Sequence, residues 1–155
     1  MNYRLTDLEP LLFRCEKPSR YTGCERNILR KPDAFFRGGI CYPDLYEIGM
    51  ANSGIQILYE KANALDGISV ERVFAPAEDF SLLLRQNGMF LYTLETYQPL
   101  KELDTLSFNV AHELLLTNIA YILDCGGITI EAVKRNEGPI IIAGGEAVSN
   151  PAVIA

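Results

Sequence analysis

The sequence has one histidine, no tryptophan and four cysteines, and it contains neither a CxxC pair nor a CxxxCxxC triplet. Zinc ribbons and iron-sulfur clusters depend on such closely spaced thiols, so we predict no metal site and no catalytic residue on this chain. The single histidine, His112, is predicted to start a helix, because one histidine alone builds neither a metal site nor a Ser-His-Asp relay. In a reducing compartment the thiols are predicted to be buried or idle. The cysteines are Cys15, Cys24, Cys41 and Cys125.

Long apolar runs are also missing. No stretch approaches the roughly 18 to 20 consecutive apolar residues that a membrane-spanning helix needs. The first residues, MNYRLTDLEPLLFRCEK, lack the uninterrupted apolar segment of a signal peptide. The sequence therefore predicts a cytoplasmic protein without a membrane partner.

Positive charge is scarce outside the first part of the chain. The net charge is -6, which argues against unaided nucleic-acid binding, because phosphate contacts rely on clustered lysine and arginine. Eight of the 14 basic residues nevertheless lie within the first 37 positions. We predict a basic lead-in over residues 1–33, and three roles stay open for it: a solvated arm, a segment that docks on a neighbouring acidic surface, or an RNA contact.

What the chain does contain is an alternation of strand-like and helix-like patterns. One continuous helix is predicted after residue 45, with a single buried face. That face consists of Ile48, Ala51, Ile55, Leu58, Ala62 and Leu65. Strands are predicted at 34–42, 68–74, 89–95, 105–110 and 140–143, the last of them buried on both faces. This rhythm predicts an α/β fold with a doubly wound, mainly parallel sheet, because each parallel return needs a crossover.

Ligands of doubly wound sheets bind at the carboxyl ends of the strands, so the loops that leave the strands carry the candidate site. Each candidate also has a structural explanation. Asp44 precedes the long helix and suits a helix cap. Gly49 suits close packing of a helix on the sheet, and Asn109 suits turn capping. Gly144 and Gly145 suit simple turn geometry, because no GxGxxG or GxxxxGK[ST] fingerprint surrounds them.

The most informative stretch is YPDLYEIGMANSGIQILYE, at residues 42–60. Together with four further segments, it resembles the N-terminal region of a family of radical SAM proteins with cobalamin-binding-like domains. The further segments are PSRYTGCERN, ERVFAPAED, LETYQPLKELDTLSFNVAHELLLTNI and PIIIAGGEAVSNP. The resemblance covers about residues 17–151. It implies a flavodoxin-like, cobalamin-binding-type three-layer sandwich over residues 34–155.

The resemblance also implies how the chemistry is divided. In that family a radical SAM domain with a CxxxCxxC motif follows the closing strand, whereas this sequence stops near Ala155, before any such motif. A [4Fe-4S] cluster and S-adenosylmethionine are therefore expected only in that domain of the same polypeptide. This chain would be an accessory domain that shapes the active site or contacts substrate. It would not be an enzyme alone, but it would form part of one.

Cobalamin-binding domains carry an Asp-x-His-x-x-Gly motif whose histidine reaches cobalt. Here the corresponding residues run from Asp44 to Gly49, and Tyr46 occupies the histidine position. A neutral phenol is a poor cobalt ligand, so histidine-ligated cobalamin is not expected. Cobalamin binding with an unligated lower face and complete loss of the corrinoid both stay open.

By the same resemblance, Asn109 corresponds to a position near the corrin tail. Gly144 and Gly145 follow a strand where a corrinoid or phosphate tail could lie against backbone amides. The predicted cofactor-binding residues are thus Asp44, Tyr46, Gly49, Asn109, Gly144 and Gly145. Two alternative functions are an autonomous flavodoxin-like module for a corrinoid, flavin or phosphate ligand, and an RNA or protein interaction domain that uses the basic arm.

Overall fold

A computed structural model describes residues 2–149. It contains four strands and five α-helices, with short 3-10 turns between them. The strands are β1 Phe36–Tyr42, β2 Ile68–Phe74, β3 Thr105–Asn109 and β4 Ile140–Gly144. The helices are α1 Leu5–Leu12, α2 Tyr46–Ala51, α3 Ser53–Asn63, α4 Glu78–Gln86 and α5 Leu116–Cys125. Within residues 2–149, no helix is both long and apolar enough to cross a lipid bilayer.

The four strands form one sheet in the order β2-β1-β3-β4, and every pair in it is parallel. This confirms the predicted doubly wound α/β fold. The strand order reverses between β1 and β3, where two neighbouring strands lead into crossovers of opposite direction. Because such crossovers are almost always right-handed, α3 packs on one face of the sheet, and α4 and α5 pack on the other.

The face under α4 and α5 holds the hydrophobic core. Leu106 and Phe108 of β3 are fully buried, as are Cys41 of β1 and Val73 of β2. Burial raises the pKa of the Cys41 thiol well above its ordinary value, as expected of an inert core cysteine. On this face, Gly39 of β1 packs so closely that a Cβ added to it would lie 2.8 Å from Leu106. The core therefore depends on the glycine in the middle of β1.

The opposite face is covered over only half of its width. Above β1 and β2, the Asn63 side chain of α3 exchanges hydrogen bonds with the backbone of Val70, at 2.8 and 3.0 Å. The β3 and β4 half of this face is open, with Ile140 and Ile142 exposed to 68% and 47%. The prediction of a last strand buried on both faces is therefore wrong for the described residues.

The predicted continuous helix is two helices. Asn52 has an extended backbone between α2 and α3, and its side chain accepts a hydrogen bond from the Ile55 amide at 3.1 Å, so that it caps α3. Because of this break, the face of α3 that is buried differs from the face predicted for one continuous helix. Ile55 is buried as predicted, together with Tyr59 and Asn63. Half or more of the side chain is exposed at Ile48, Leu58 and Leu65.

The segment 89–95 is not a strand, although it lies beside the outer edge of β2. The Leu94 amide donates to the Arg72 carbonyl at 2.9 Å, and a Glu95 carboxylate oxygen accepts from the Arg72 amide at 2.7 Å. Tyr97 then turns the chain with a φ of 57°. The carboxylate thus takes the place that a backbone carbonyl would have in a ladder, and the β2 edge is closed without a fifth strand.

A fully buried ion pair lies at this edge. The guanidinium of Arg72 donates to Glu95 at 2.7 Å, and both side chains have no exposed surface. The Arg72 guanidinium also lies 4.4 Å from the centre of the Tyr59 ring. Burial raises the pKa of Glu95 to about 7, against the opposing effect of Arg72. Burying these two charges therefore costs free energy. The hydrogen bond between them and the contact with the Tyr59 ring compensate for part of that cost.

The lead-in packs on the α/β body. Leu8, Leu11 and Leu12 of α1 are buried in the common core. The ring of Tyr21 stacks on Phe80 with 3.7 Å between centroids. The Tyr21 hydroxyl accepts a hydrogen bond from the Ala77 amide at the start of α4. The lead-in is thus joined to the helix that follows β2.

Several basic side chains of this segment form bonds within the molecule, Lys17 with Glu47 among them. Arg20 pairs with Glu47 at 3.0 Å. Arg30 donates to the Glu95 carbonyl, and Lys31 donates to the Asn63 carbonyl. These contacts leave less of the lead-in's positive charge for an outside partner.

Candidate functional site

The carboxyl ends of β3 and β4 border an open groove of about 220 Å³ on the half-covered face. Its lining is mainly apolar, with one amide and two glycines at the end where the strands finish. The groove is lined by Ile40, Leu58, Ser107, Phe108, Asn109, Ile142, Gly144 and Gly145. The structure thus brings together three of the six predicted residues, Asn109, Gly144 and Gly145, next to the point where the strand order reverses.

Gly145 forms the tight end of this groove. Its φ is 118°, and a Cβ at this position would lie 2.4 Å from the Val110 carbonyl oxygen. The Val110 amide donates to the Gly144 carbonyl at 2.7 Å, which holds the β3 and β4 exits side by side. Gly144 differs, because a Cβ there would meet no atom within 4 Å. The first glycine leaves the groove open, and the second makes the turn.

Asp44, Tyr46 and Gly49 lie at the exit of β1, outside this groove. The Asp44 carboxylate accepts a hydrogen bond from the Leu45 amide at 2.7 Å, just before the first turn of α2. A Cβ on Gly49 would lie 2.3 Å from the Phe74 ring, so this glycine lets α2 pack closely on the end of β2. The contact of Gly49 matches the close packing that the sequence predicts. The prediction that Asp44 caps the helix is wrong, because Leu45 is the N-cap of α2 and no side chain among the described residues caps that helix.

The Tyr46 phenol points to the lead-in. Its hydroxyl donates to Glu25 at 2.8 Å, and its ring meets Phe74 edge-on at 5.6 Å. Burial, followed by the hydrogen bond to Glu25, raises the pKa of Tyr46 to about 12. The phenol therefore stays protonated at neutral pH and is engaged as a donor, which does not suit a cobalt ligand.

A small cavity of about 20 Å³ lies behind Tyr46, and sequence reasoning did not find it. Arg20, Tyr21 and Arg72 are among its lining residues. The Nη2 atom of Arg72 is buried without a hydrogen-bond partner among the described residues. The space is comparable with that of one water molecule and is too small for an organic cofactor. The only sequence signal for it was a charged pair, Glu71 and Arg72, inside an otherwise apolar strand.

The described residues do not fit an iron-sulfur cluster. Cys15, Cys41 and Cys125 are buried, and Cys24 is exposed. Between residues 2 and 149, no three histidine, cysteine, aspartate or glutamate side chains gather where a metal ion could bind. His112 is exposed and directly precedes a short 3-10 helix, Glu113–Leu115.

Comparison with known families gives a match to a family described as "Radical SAM proteins, N-terminal" over residues 54–155, about two thirds of the chain. The matched region begins in α3 and includes β2, β3, β4 and the groove residues Asn109, Gly144 and Gly145. The exit of β1, with Asp44 and Tyr46, precedes it. No curated protein and no solved structure matches the chain.

Proposed function

Because the chain belongs to the family of N-terminal domains of radical SAM proteins, we propose that it is the accessory domain of a radical SAM enzyme, where it shapes the active site and contacts substrate. The family match over residues 54–155 is the observation that carries this proposal. The associated radical SAM domain would hold the [4Fe-4S] cluster and S-adenosylmethionine, whose reductive cleavage supplies the radical. No step of that chemistry is assigned to residues of this chain.

The groove at the ends of β3 and β4 supports a role in substrate contact. Its walls are apolar, and the Asn109 amide is a polar group at the mouth that could orient a bound molecule. Parallel sheets present such sites at this edge because the strand exits and the loops after them meet there. A catalytic domain facing this edge would close the groove from above.

The accessory role is tested in the radical SAM enzyme that carries this chain. Without residues 1–155, we expect cluster content and uncoupled cleavage of S-adenosylmethionine to persist. Product formation should fall by about a hundredfold or more, because a substrate that is no longer positioned loses most of the benefit of proximity. The measurements are iron content, cleavage in the absence of substrate, and product yield. Cluster content serves as the folding control, and an unchanged product yield would show that the domain is not needed for turnover.

A second candidate function is a ligand-binding module for a corrinoid or a flavin, and the groove favours it. We expect the purified chain to retain hydroxocobalamin after desalting at micromolar concentrations, with shifted absorption bands, and Asn109→Leu to weaken retention about tenfold through loss of one hydrogen bond. Asn136→Leu makes the same change on an exposed loop and should retain the ligand like wild type.

Flavin mononucleotide is the comparison ligand in the same assay. Retention of the flavin alone, with the same response to Asn109→Leu, would assign the groove to flavin. If the chain retains neither compound, or if both asparagine variants behave alike, the groove is not a cofactor site and this second function fails.

A further inference from the structure

The small cavity behind Tyr46 contains a buried donor that the described fold does not use. This cavity, of about 20 Å³, shares no lining residue with the groove at the ends of β3 and β4. Arg72 of β2 lines it and has no exposed surface. Its Nε atom donates to Glu95 and its Nη1 atom to Asn27, whereas Nη2 is buried without a partner among the described residues. Because a buried charged donor without an acceptor is costly, a ligand for Nη2 is expected in the cavity.

The lead-in supplies two further donors to the same cavity. Arg20, whose side chain is only 11% exposed, lines it together with Tyr21. The Tyr21 hydroxyl accepts a hydrogen bond from the Ala77 amide and donates to no residue in the described part of the chain. Burial raises the pKa of Tyr21 to about 12, so this hydroxyl keeps its proton at neutral pH. Donors from the lead-in and from the sheet therefore line one small space.

The lining also indicates which ligand fits. No carboxylate is among the described residues that line the cavity. Glu95 and Glu47 bond to the two arginines, and Glu25 accepts a hydrogen bond from Tyr46, but none of the three lines the space. The only acceptor atoms of the lining side chains are phenol oxygens. A water molecule must donate as well as accept, whereas an anion needs donors alone. The volume excludes phosphate and organic acids and admits an ion of about the size of a water molecule.

We propose that this cavity binds one chloride ion, which accepts hydrogen bonds from Arg72 Nη2, the Arg20 guanidinium and the Tyr21 hydroxyl. Hydrogen bonds in which one partner is charged are the strong ones, and here they would join the lead-in to β2. An anion between two guanidinium groups also offsets their mutual repulsion. The packing of the lead-in on the sheet would then depend on the chloride concentration.

Thermal unfolding of the chain in sodium chloride and in sodium gluconate tests the site. Gluconate matches the ionic strength but is too large for the cavity. Because a ligand that binds only the folded state stabilises it, about 0.3 M chloride should raise the unfolding midpoint by about 3 °C more than gluconate does. Bromide locates the ion, since its anomalous signal in soaked crystals should lie at hydrogen-bond distance from Arg72 Nη2. Ordered water at that atom, without anomalous signal, would overturn the proposal.

Arg20→Met removes one donor from the cavity, and Lys17→Met is its matched control. Both side chains pair with Glu47, at 3.0 and 3.6 Å, but only Arg20 lines the cavity. Arg20→Met should weaken chloride binding about tenfold or more and remove most of the chloride-specific shift, because hydrogen bonds to charged groups contribute most. Lys17→Met should keep the shift. Equal shifts in the two variants would assign the effect to surface charge and refute the site.

Ala75→Val fills the cavity without changing a charge, because Ala75 is one of its buried lining residues. Each variant is compared with itself in gluconate, so a loss of stability does not obscure the result. The chloride-specific shift should vanish in Ala75→Val. It should persist in Ala64→Val, which makes the same change at the exposed end of α3. A shift that survives in Ala75→Val would show that chloride binds elsewhere.

Discussion

Replacing Glu95 with alanine is expected to lower the free energy of unfolding by about 3–5 kcal/mol, the usual cost of leaving one charge of a buried pair without its partner. Arg72 has no exposed surface and would lose both a charged hydrogen bond at 2.7 Å and its counter-ion. The Arg72 amide would also lose its acceptor at the edge of β2. Urea denaturation at pH 8 measures this loss, because Glu95, with a pKa of about 7, is ionised there.

Glu47→Ala is the matched control for Glu95→Ala. Glu47 pairs with Arg20 at 3.0 Å, but about half of its side chain is exposed, so removal should cost only about 0–1 kcal/mol. Both variants delete a carboxylate that bonds to an arginine, and they differ in burial. Equal losses of stability in the two variants would show that burial does not determine how much the Arg72–Glu95 pair contributes to the free energy of unfolding.

Gly145→Ala is expected to destabilise the chain by about 3 kcal/mol. A backbone with φ at 118° costs about 1–3 kcal/mol for a residue with a side chain, and the added Cβ would overlap the Val110 carbonyl at 2.4 Å. Relief of that overlap must separate the β3 and β4 exits, which would widen the end of the groove. The free energy of unfolding measures the strain, and amide exchange at Val110 reports the separation.

Gly144→Ala supplies the comparison at the neighbouring position. Its Cβ would project into open space, so the change in stability should stay within about 0.5 kcal/mol. A loss at position 144 as large as the loss at position 145 would refute the assignment of the tight turn to Gly145.

Much of the sheet could be predicted from sequence, because its strands are apolar runs bounded by turn residues. The run at 68–74 coincides with β2, and the runs at 105–110 and 140–143 differ from β3 and β4 by one residue. The segment 89–95 has the same apolar character and is not a strand. Its course depends on Glu95 meeting the Arg72 amide and on the left-handed Tyr97, neither of which periodicity reveals.

The candidate site was only partly predictable. Asn109, Gly144 and Gly145 end two strands that the sequence identifies, and once those strands are neighbours the three residues share a groove. The location of Tyr46 depends instead on Glu25, which lies 21 residues earlier in a segment without regular structure. Such long-range polar contacts leave no periodic signal, so the sequence did not indicate which way the phenol points.

The bonds of the lead-in to the body have a kinetic consequence. Arg30 reaches the Glu95 carbonyl across 65 residues, and Tyr92 reaches the Tyr21 carbonyl across 71. Closing loops of this length is entropically unfavourable until the acceptors already sit on a formed surface. We therefore expect residues 1–33 to dock last, on a sheet that has already formed.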